Sequence, residues 1–241
     1  MTWYLDGAVA AAAFGMISGL FVPELVRSVP EPPDDPEEQE RFGEEEPKEL
    51  YADIAALPRL RVLSGLAGAV VGGLVGARLD LTWELLGVLV VIPVGIALFV
   101  IDARTRFLPT RLIAPLYGVV PVVAAAAALQ RQEWEPLVST AAGWAVYGGF
   151  FFLMWAVAPG GSMGYGDVRL AGLLGLSLGL ASWGAVAVGM ASGVALGAVV
   201  AILTTVLRRK KHYPYGPSLL VGAVVGAMFG PAFAHWYWPG S

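Results

Sequence analysis

Apolar residues fill most of this chain in runs of about twenty, separated by short polar or Pro/Gly-marked gaps. The first run is 3–22, with Asp6 near its start and Pro23 just past its end. Others follow at about 60–79, 82–101, 112–130, 137–158, 168–182, 184–206 and 218–238. A helix needs ~20 residues to cross ~30 Å of hydrocarbon, and most runs reach that length. The run 168–182 is shorter and is expected to cross obliquely or only in part. The pattern predicts an all-α, polytopic membrane helix bundle of about eight transmembrane helices. Trp83, Trp134, Trp183, Trp236 and Trp238 fall near the ends of runs, where interfacial aromatic side chains belong. Glycine recurs every fourth residue at Gly68, Gly72 and Gly76, at Gly189, Gly193 and Gly197, and at Gly222, Gly226 and Gly230. Such rows make smooth helix faces on which a neighbouring backbone can pack closely. They are read as packing, not chemistry.

One stretch breaks the pattern. Residues 23–58 contain the run PEPPDDPEEQERFGEEEPKE, and 12 of the chain's 19 acidic residues lie between Glu24 and Asp53. A segment this polar and Pro-rich buries too little surface to fold by itself and is expected to be disordered. The chain is therefore expected to divide into a first transmembrane span (1–22), an acidic Pro/Glu-rich cytoplasmic loop (23–58) and a seven-span core (59–241).

Composition agrees with a membrane protein. The chain is 57% hydrophobic and 14% charged, where a soluble domain carries about a quarter charged residues. Mean hydropathy is +0.68. No cysteine is present, which excludes disulfides and thiolate metal ligands. His212 and His235 lack a metal-site spacing. No metal, no cofactor and no nucleic-acid partner are expected; the lipid bilayer is. Orientation follows from Lys and Arg. Threading eight spans puts 13 of the 15 basic residues on the cytoplasmic side, leaving only Arg78 and Arg131 outside. The same threading puts Asp102, Asp167 and the acidic loop at that face.

Those two aspartates carry the candidate chemistry. Asp167 ends the Gly-rich turn Gly160-Gly161-Ser162-Met163-Gly164-Tyr165-Gly166, and Asp102 closes an apolar run. An ionisable group at the edge of a bilayer is costly and points to function. Two carboxylates held close cannot both ionise easily, so one keeps its proton. The ionised one can then take a proton from water while the other polarises a scissile carbonyl. Glycine at 164 and 166 would leave room for an extended substrate backbone.

Three stretches resemble one family. Gly164-Tyr165-Gly166-Asp167-Val168-Arg169-Leu170 is similar to the GxGDxK[L] signature of the type IV prepilin peptidases, which are GxGD-type membrane aspartyl proteases. Ile101-Asp102-Ala103-Arg104-Thr105-Arg106-Phe107-Leu108-Pro109 resembles that family's other catalytic segment, and Tyr215-Gly216-Pro217 its Phe-Gly-Pro motif. The resemblance covers roughly 60–238. It implies catalytic residues Asp102 and Asp167, with Gly164, Gly166, Arg169, Arg104, Pro109, Gly216 and Pro217 binding substrate or supporting the site. It implies a peptidase core that cuts the N-terminal leader of pilin or pseudopilin precursors after a Gly, at the cytoplasmic face of a prokaryotic inner membrane. The chain departs from the family at Arg169, usually Lys, and at Thr110, often Asn. It also lacks the two CxxC zinc pairs that accompany N-methyltransferase activity in many members, so methylation is expected to be absent. Two other readings of the residues stay open: a small multi-span transporter, and a non-catalytic membrane subunit of a pilus or secretion machine.

Overall fold

A computed structural model of the chain describes residues 3–31, 49–157, 163–206 and 214–237. Most of the acidic run, the Gly160–Ser162 turn, the basic run Arg208–Lys211, His212 and Trp238 lie outside the described residues. The rest is helical, and among the described residues there is no strand.

Among the described residues, six helical stretches are long and apolar enough to cross a membrane: Leu60–Leu79, Trp83–Thr105, Thr110–Arg131, Glu135–Val157, Trp183–Thr204 and Gly216–Trp236. Leu5–Gly19 (α1) is apolar but shorter. The expected run at 168–182 is helix Tyr165–Ala181. About eight helical passes was thus a fair reading, with two of the eight below full spanning length.

Two glycine-zipped hairpins flank the bundle. In the first, α1 packs along α4 (Leu60–Leu79). A Cβ added at Gly68 would run into the Gly15 carbonyl oxygen, and one at Gly72 into that of Ala11. In the second, α12 (Trp183–Val206) packs along α13 (Gly216–Tyr237). Gly222 meets the Gly193 backbone, and Gly226 stands against the Ala185 carbonyl and Gly189. Backbones approach this closely only where side chains are absent, and such contact replaces the hydrophobic drive that lipid cannot supply.

Between α1 and α4, α2 (Val22–Arg27) and α3 (Tyr51–Ala55) are helical where the sequence predicts loop. The reason is local. Val22, Val26, Tyr51 and Ile54 are buried in the core, and the Glu31 carboxylate accepts the Tyr51 N–H at 2.6 Å and the Ala52 N–H at 3.3 Å, capping α3. Capping of this kind satisfies donors that a helix start leaves unpaired.

The span Trp83–Thr105 bends at Val90–Val91, between α5 (Trp83–Leu89) and α6 (Ile92–Thr105). Pro93 has no N–H to continue the ladder and starts the second helix. After α7 (Thr110–Ile113) and α8 (Leu116–Arg131), the next span comprises α9 (Glu135–Gly143), a π-helical turn at Trp144–Gly148 and α10 (Gly149–Val157).

Helix α11 (Tyr165–Ala181) is the central post: 12 of its 17 residues are buried. Its glycines receive its neighbours. Gly175 abuts the Gly143 carbonyl and Gly179 the Ser139 carbonyl, while a Cβ at Gly148 would meet the Gly172 Cα. Ser177 donates its hydroxyl to the Gly87 carbonyl at 2.9 Å, tying the post to α5.

Candidate active site

Asp102 stands in the last turn of α6. That helix stops because Arg106 turns left-handed (φ 56°, ψ 31°) while its N–H still bonds the Asp102 carbonyl at 2.9 Å. Glycine usually takes this place at a helix end. The turn sends Phe107-Leu108-Pro109 back across the bundle end, with Pro109 extended (φ −65°, ψ 120°) ahead of α7. Asp102 itself is only 3% exposed. The Gly216 N–H, 114 residues away, donates to its Oδ2 at 2.9 Å. Gly216 has to be small: a Cβ there would stand 2.6 Å from that oxygen and 3.2 Å from Cγ. Pro217 follows in the first turn of α13.

Asp167 occupies the first turn of α11. Gly164 is the residue before the helix (φ −72°, ψ 140°), and its carbonyl accepts the Asp167 N–H at 3.1 Å. Asp167 is the third helical residue, and a Cβ added at Gly164 would stand 3.6 Å from its Oδ2. Asp167 is half-buried, and Gly164 and Tyr165 beside it are exposed.

The two segments are joined. Gly166 lies against Leu108, whose Cβ would be 2.9 Å from a Cβ at 166. Arg169 hydrogen-bonds the Thr110 hydroxyl and stacks its guanidinium 4.8 Å from the centre of the Tyr165 ring. Tyr117 donates its hydroxyl to the Arg169 carbonyl at 2.8 Å. The loop after Asp102 is thus fastened to the start of Asp167's helix. The charges of Asp102 and Asp167 lie within electrostatic reach of each other.

Asp102, Asp167, Gly164, Gly166, Arg169, Pro109, Gly216 and Pro217 therefore gather at one end of the bundle. Arg104 does not join them. Its ion pair, at 3.1 Å, is with Glu49, just before α3. Gly166 has Leu108 as its near neighbour on the side where a Cβ would project. Arg78 and Arg131, the two basic residues threaded to the far side, line one hollow together with Ala181, the last residue of α11.

Among the neighbours, Tyr215 and Leu108 were quoted from sequence only as parts of the family-like stretches, and Phe151, Tyr147 and Tyr117 were not singled out. Tyr215 lies within electrostatic reach of Asp167. Its ring is 5.9 Å from that of Phe151, which is 5.7 Å from that of the buried Tyr147. Leu108 and Tyr117 complete the set. Each is an ordinary apolar or aromatic residue, so its place against the aspartates shows only in the fold. The geometry offers one sheltered, hydrogen-bonded carboxylate beside one half-exposed carboxylate, in reach of the surface.

Residues 89–208 match the model of the type IV leader peptidase family, and both aspartates lie inside the match. The chain is 26% identical over 196 residues to the prepilin leader peptidase/N-methyltransferase of Aeromonas salmonicida (strain A449), covering 76% of this chain and 61% of that protein. It is 31% identical over 165 residues to the protein of the same name from Stutzerimonas stutzeri, covering 64% and 50%. A third protein of that name, from Bacillus subtilis (strain 168), is 27% identical over 169 residues, covering 67% and 63%. The matches thus span 50% to 63% of the relatives' own length. No solved structure matches the chain.

Proposed function

Starting from a chain that belongs, through residues 89–208, to the type IV leader peptidase family, we propose that this multi-pass membrane protein is an aspartyl endopeptidase. It removes the N-terminal leader of pilin-like precursors, cutting after a Gly at the cytoplasmic face of a bacterial inner membrane. The observation that carries the reading is the pairing of Asp102 and Asp167, two carboxylates from separate helices within electrostatic reach at one end of the bundle.

The chemistry runs through a water held between the two groups. The ionised aspartate accepts a proton from the water as its oxygen attacks the scissile carbonyl carbon. The protonated aspartate donates a hydrogen bond, then its proton, to the carbonyl oxygen. Collapse of the tetrahedral species returns a proton to the leaving amine and breaks the C–N bond. The Gly216 N–H holds one oxygen of Asp102 in place. Fixed donors of this kind orient a reacting group at no cost during the reaction.

The relatives' printed name joins peptidase and N-methyltransferase. We assign this chain the first activity alone, because it contains no cysteine and so no thiolate zinc site. The test is a cleavage assay in membranes with a pilin precursor, read by the mass of the product's N-terminus. Wild type yields the shortened chain without an added methyl group. Asp102→Asn and Asp167→Asn each lose general acid–base catalysis, which is worth about 10²–10⁴-fold, and leave the precursor uncut. Wild type and both variants behaving alike on several precursors sinks the proposal. In a transporter the same substitutions change flux and no precursor accumulates.

A further inference from the structure

We infer that Tyr215, seated in the gap left by Gly197, is a positioning residue that sets the Asp102 carboxylate through the adjacent Gly216 N–H. The inference rests on reading Asp102 as a catalytic carboxylate.

Gly197 belongs to the fourfold row Gly189, Gly193, Gly197 on α12. A Cβ at 189 would meet Leu178 first and one at 193 Tyr147, with the α13 backbone at Gly222 and Leu219 next. At Gly197 the three nearest atoms all belong to one side chain, that of Tyr215 just ahead of α13. A Cβ at 197 would stand 2.6 Å from the Tyr215 hydroxyl oxygen and closer still to the ring carbon bearing it. The Tyr215 ring thus occupies the volume that any other residue at 197 would fill. Its hydroxyl donates to the Val194 carbonyl at 3.4 Å, one turn earlier on the same helix. Phe151 bounds the ring on another side, 5.9 Å away.

The next residue in the chain is Gly216, whose N–H reaches Asp102 Oδ2 at 2.9 Å. A tyrosine ring has two side-chain torsions and little room to bend. Anchoring it on α12 therefore fixes the height and rotation at which α13 begins. Those two coordinates aim the Gly216 N–H, and bonds from a backbone N–H to a carboxylate are short and directional. The link runs from Gly197 through Tyr215 and Gly216 to Asp102. Gly197→Ala forces the ring out by about 1 Å before its carbons reach ordinary contact distance, and the displacement passes to Gly216.

The test uses the full chain and has two arms. In the first, kcat and KM for precursor cleavage are measured for wild type, Gly197→Ala, Tyr215→Phe, Tyr215→Ala and the double variant Gly197→Ala/Tyr215→Ala. A misplacement of about 1 Å costs about a hundredfold, so Gly197→Ala and Tyr215→Ala lose about that much kcat with KM unchanged. Tyr215→Phe keeps the ring and stays within about threefold, since it gives up one long neutral hydrogen bond. The double variant is no worse than Tyr215→Ala, because the three atoms nearest the added methyl are then gone.

The second arm needs no activity. Thermal unfolding in detergent is followed for wild type, Gly197→Ala, Asp102→Ala and Gly197→Ala/Asp102→Ala. Once the acceptor is gone, moving Gly216 does less harm, so the double variant loses less Tm than the sum of the singles. Additive shifts overturn the inference, as does Gly197→Ala retaining wild-type kcat. A wild type that cuts no precursor defeats the protease reading instead, and the unfolding arm still decides this one.

Discussion

Gly216→Ala separates a site defect from a folding defect. Its φ does not lie in the left-handed region, so alanine fits the backbone there. In the first turn of α13 alanine should favour the helix by about 0.5–1 kcal/mol over glycine. Against this, the new Cβ would lie 2.6 Å from Asp102 Oδ2 and 3.4 Å from Leu108 Cδ2. Reaching ordinary contact distance from the oxygen requires about 0.8 Å of movement. The Asp102 side chain is short and 3% exposed, so it cannot swing into solvent. If the shift falls along the 2.9 Å bond, donor and acceptor separate to about 3.7 Å, beyond hydrogen-bonding range. Losing a hydrogen bond to a charged group costs about 1.5–3 kcal/mol, which the helix gain partly offsets. The expected loss of stability is therefore small, about 1–2 kcal/mol. The expected loss of rate is larger: a displacement near 1 Å costs about a hundredfold in kcat, or about 2.7 kcal/mol of barrier. Precursor cleavage in membranes, beside thermal unfolding of the same protein in detergent, reads both. A variant that cuts within twofold of wild type refutes the argument that Gly216 orients Asp102.

Three further outcomes follow from the packing and charge. Gly172→Ala would place a Cβ 3.2 Å from the Trp144 indole nitrogen and nearer still to the Tyr117 hydroxyl; overpacking of this kind costs about 1–3 kcal/mol, read by the unfolding midpoint, and Tyr117→Phe in the same chain does not recover the share due to Trp144. Glu49→Gln breaks the exposed pair with Arg104 and changes stability by less than about 1 kcal/mol; a larger drop in a denaturation series contradicts its surface character. Replacing the eight acidic residues between 32 and 48 by Ser and Gln slows cleavage of a basic leader peptide at low ionic strength and leaves it unchanged at high salt; equal rates at both salts remove any steering role.

Long apolar runs made most of the fold legible, because a bilayer demands about twenty apolar residues per crossing and little else in a chain imitates that. The fourfold glycine rows likewise marked the faces of α4, α12 and α13 that pack tightly, without naming their partners. The central place of α11 was not legible. A helix that is apolar all round is either a lipid-facing span or a buried one, and residues 168–182 fit both. Its glycines at 172, 175 and 179 fall at mixed spacings that form no fourfold row. At the site, Asp102, Asp167 and Gly216 stood out because charge or glycine is conspicuous beside apolar sequence. The contact of Gly166 with Leu108 was not legible, since nothing local shows that Leu108 returns across the bundle end to meet it. The ends of the acidic segment were read too polar as well. A few apolar residues, Val26, Tyr51 and Ile54 among them, suffice to hold α2 and α3 once the bundle offers a surface.

The length and burial of α11 bear on how this protein meets its lipid. At 17 residues it is about 26 Å long, shorter than the ~30 Å of hydrocarbon around it, while α12, at the periphery, has 24 residues. A bilayer that thickens or thins works on helices it touches, through tilt and mismatch. It touches α12, where Val199, Ile202 and Leu203 are exposed, and scarcely touches α11. Asp167 is thus carried by the element least exposed to the elastic state of the membrane. Acyl-chain length can tilt the wall of this bundle and leave the post that bears the carboxylate upright.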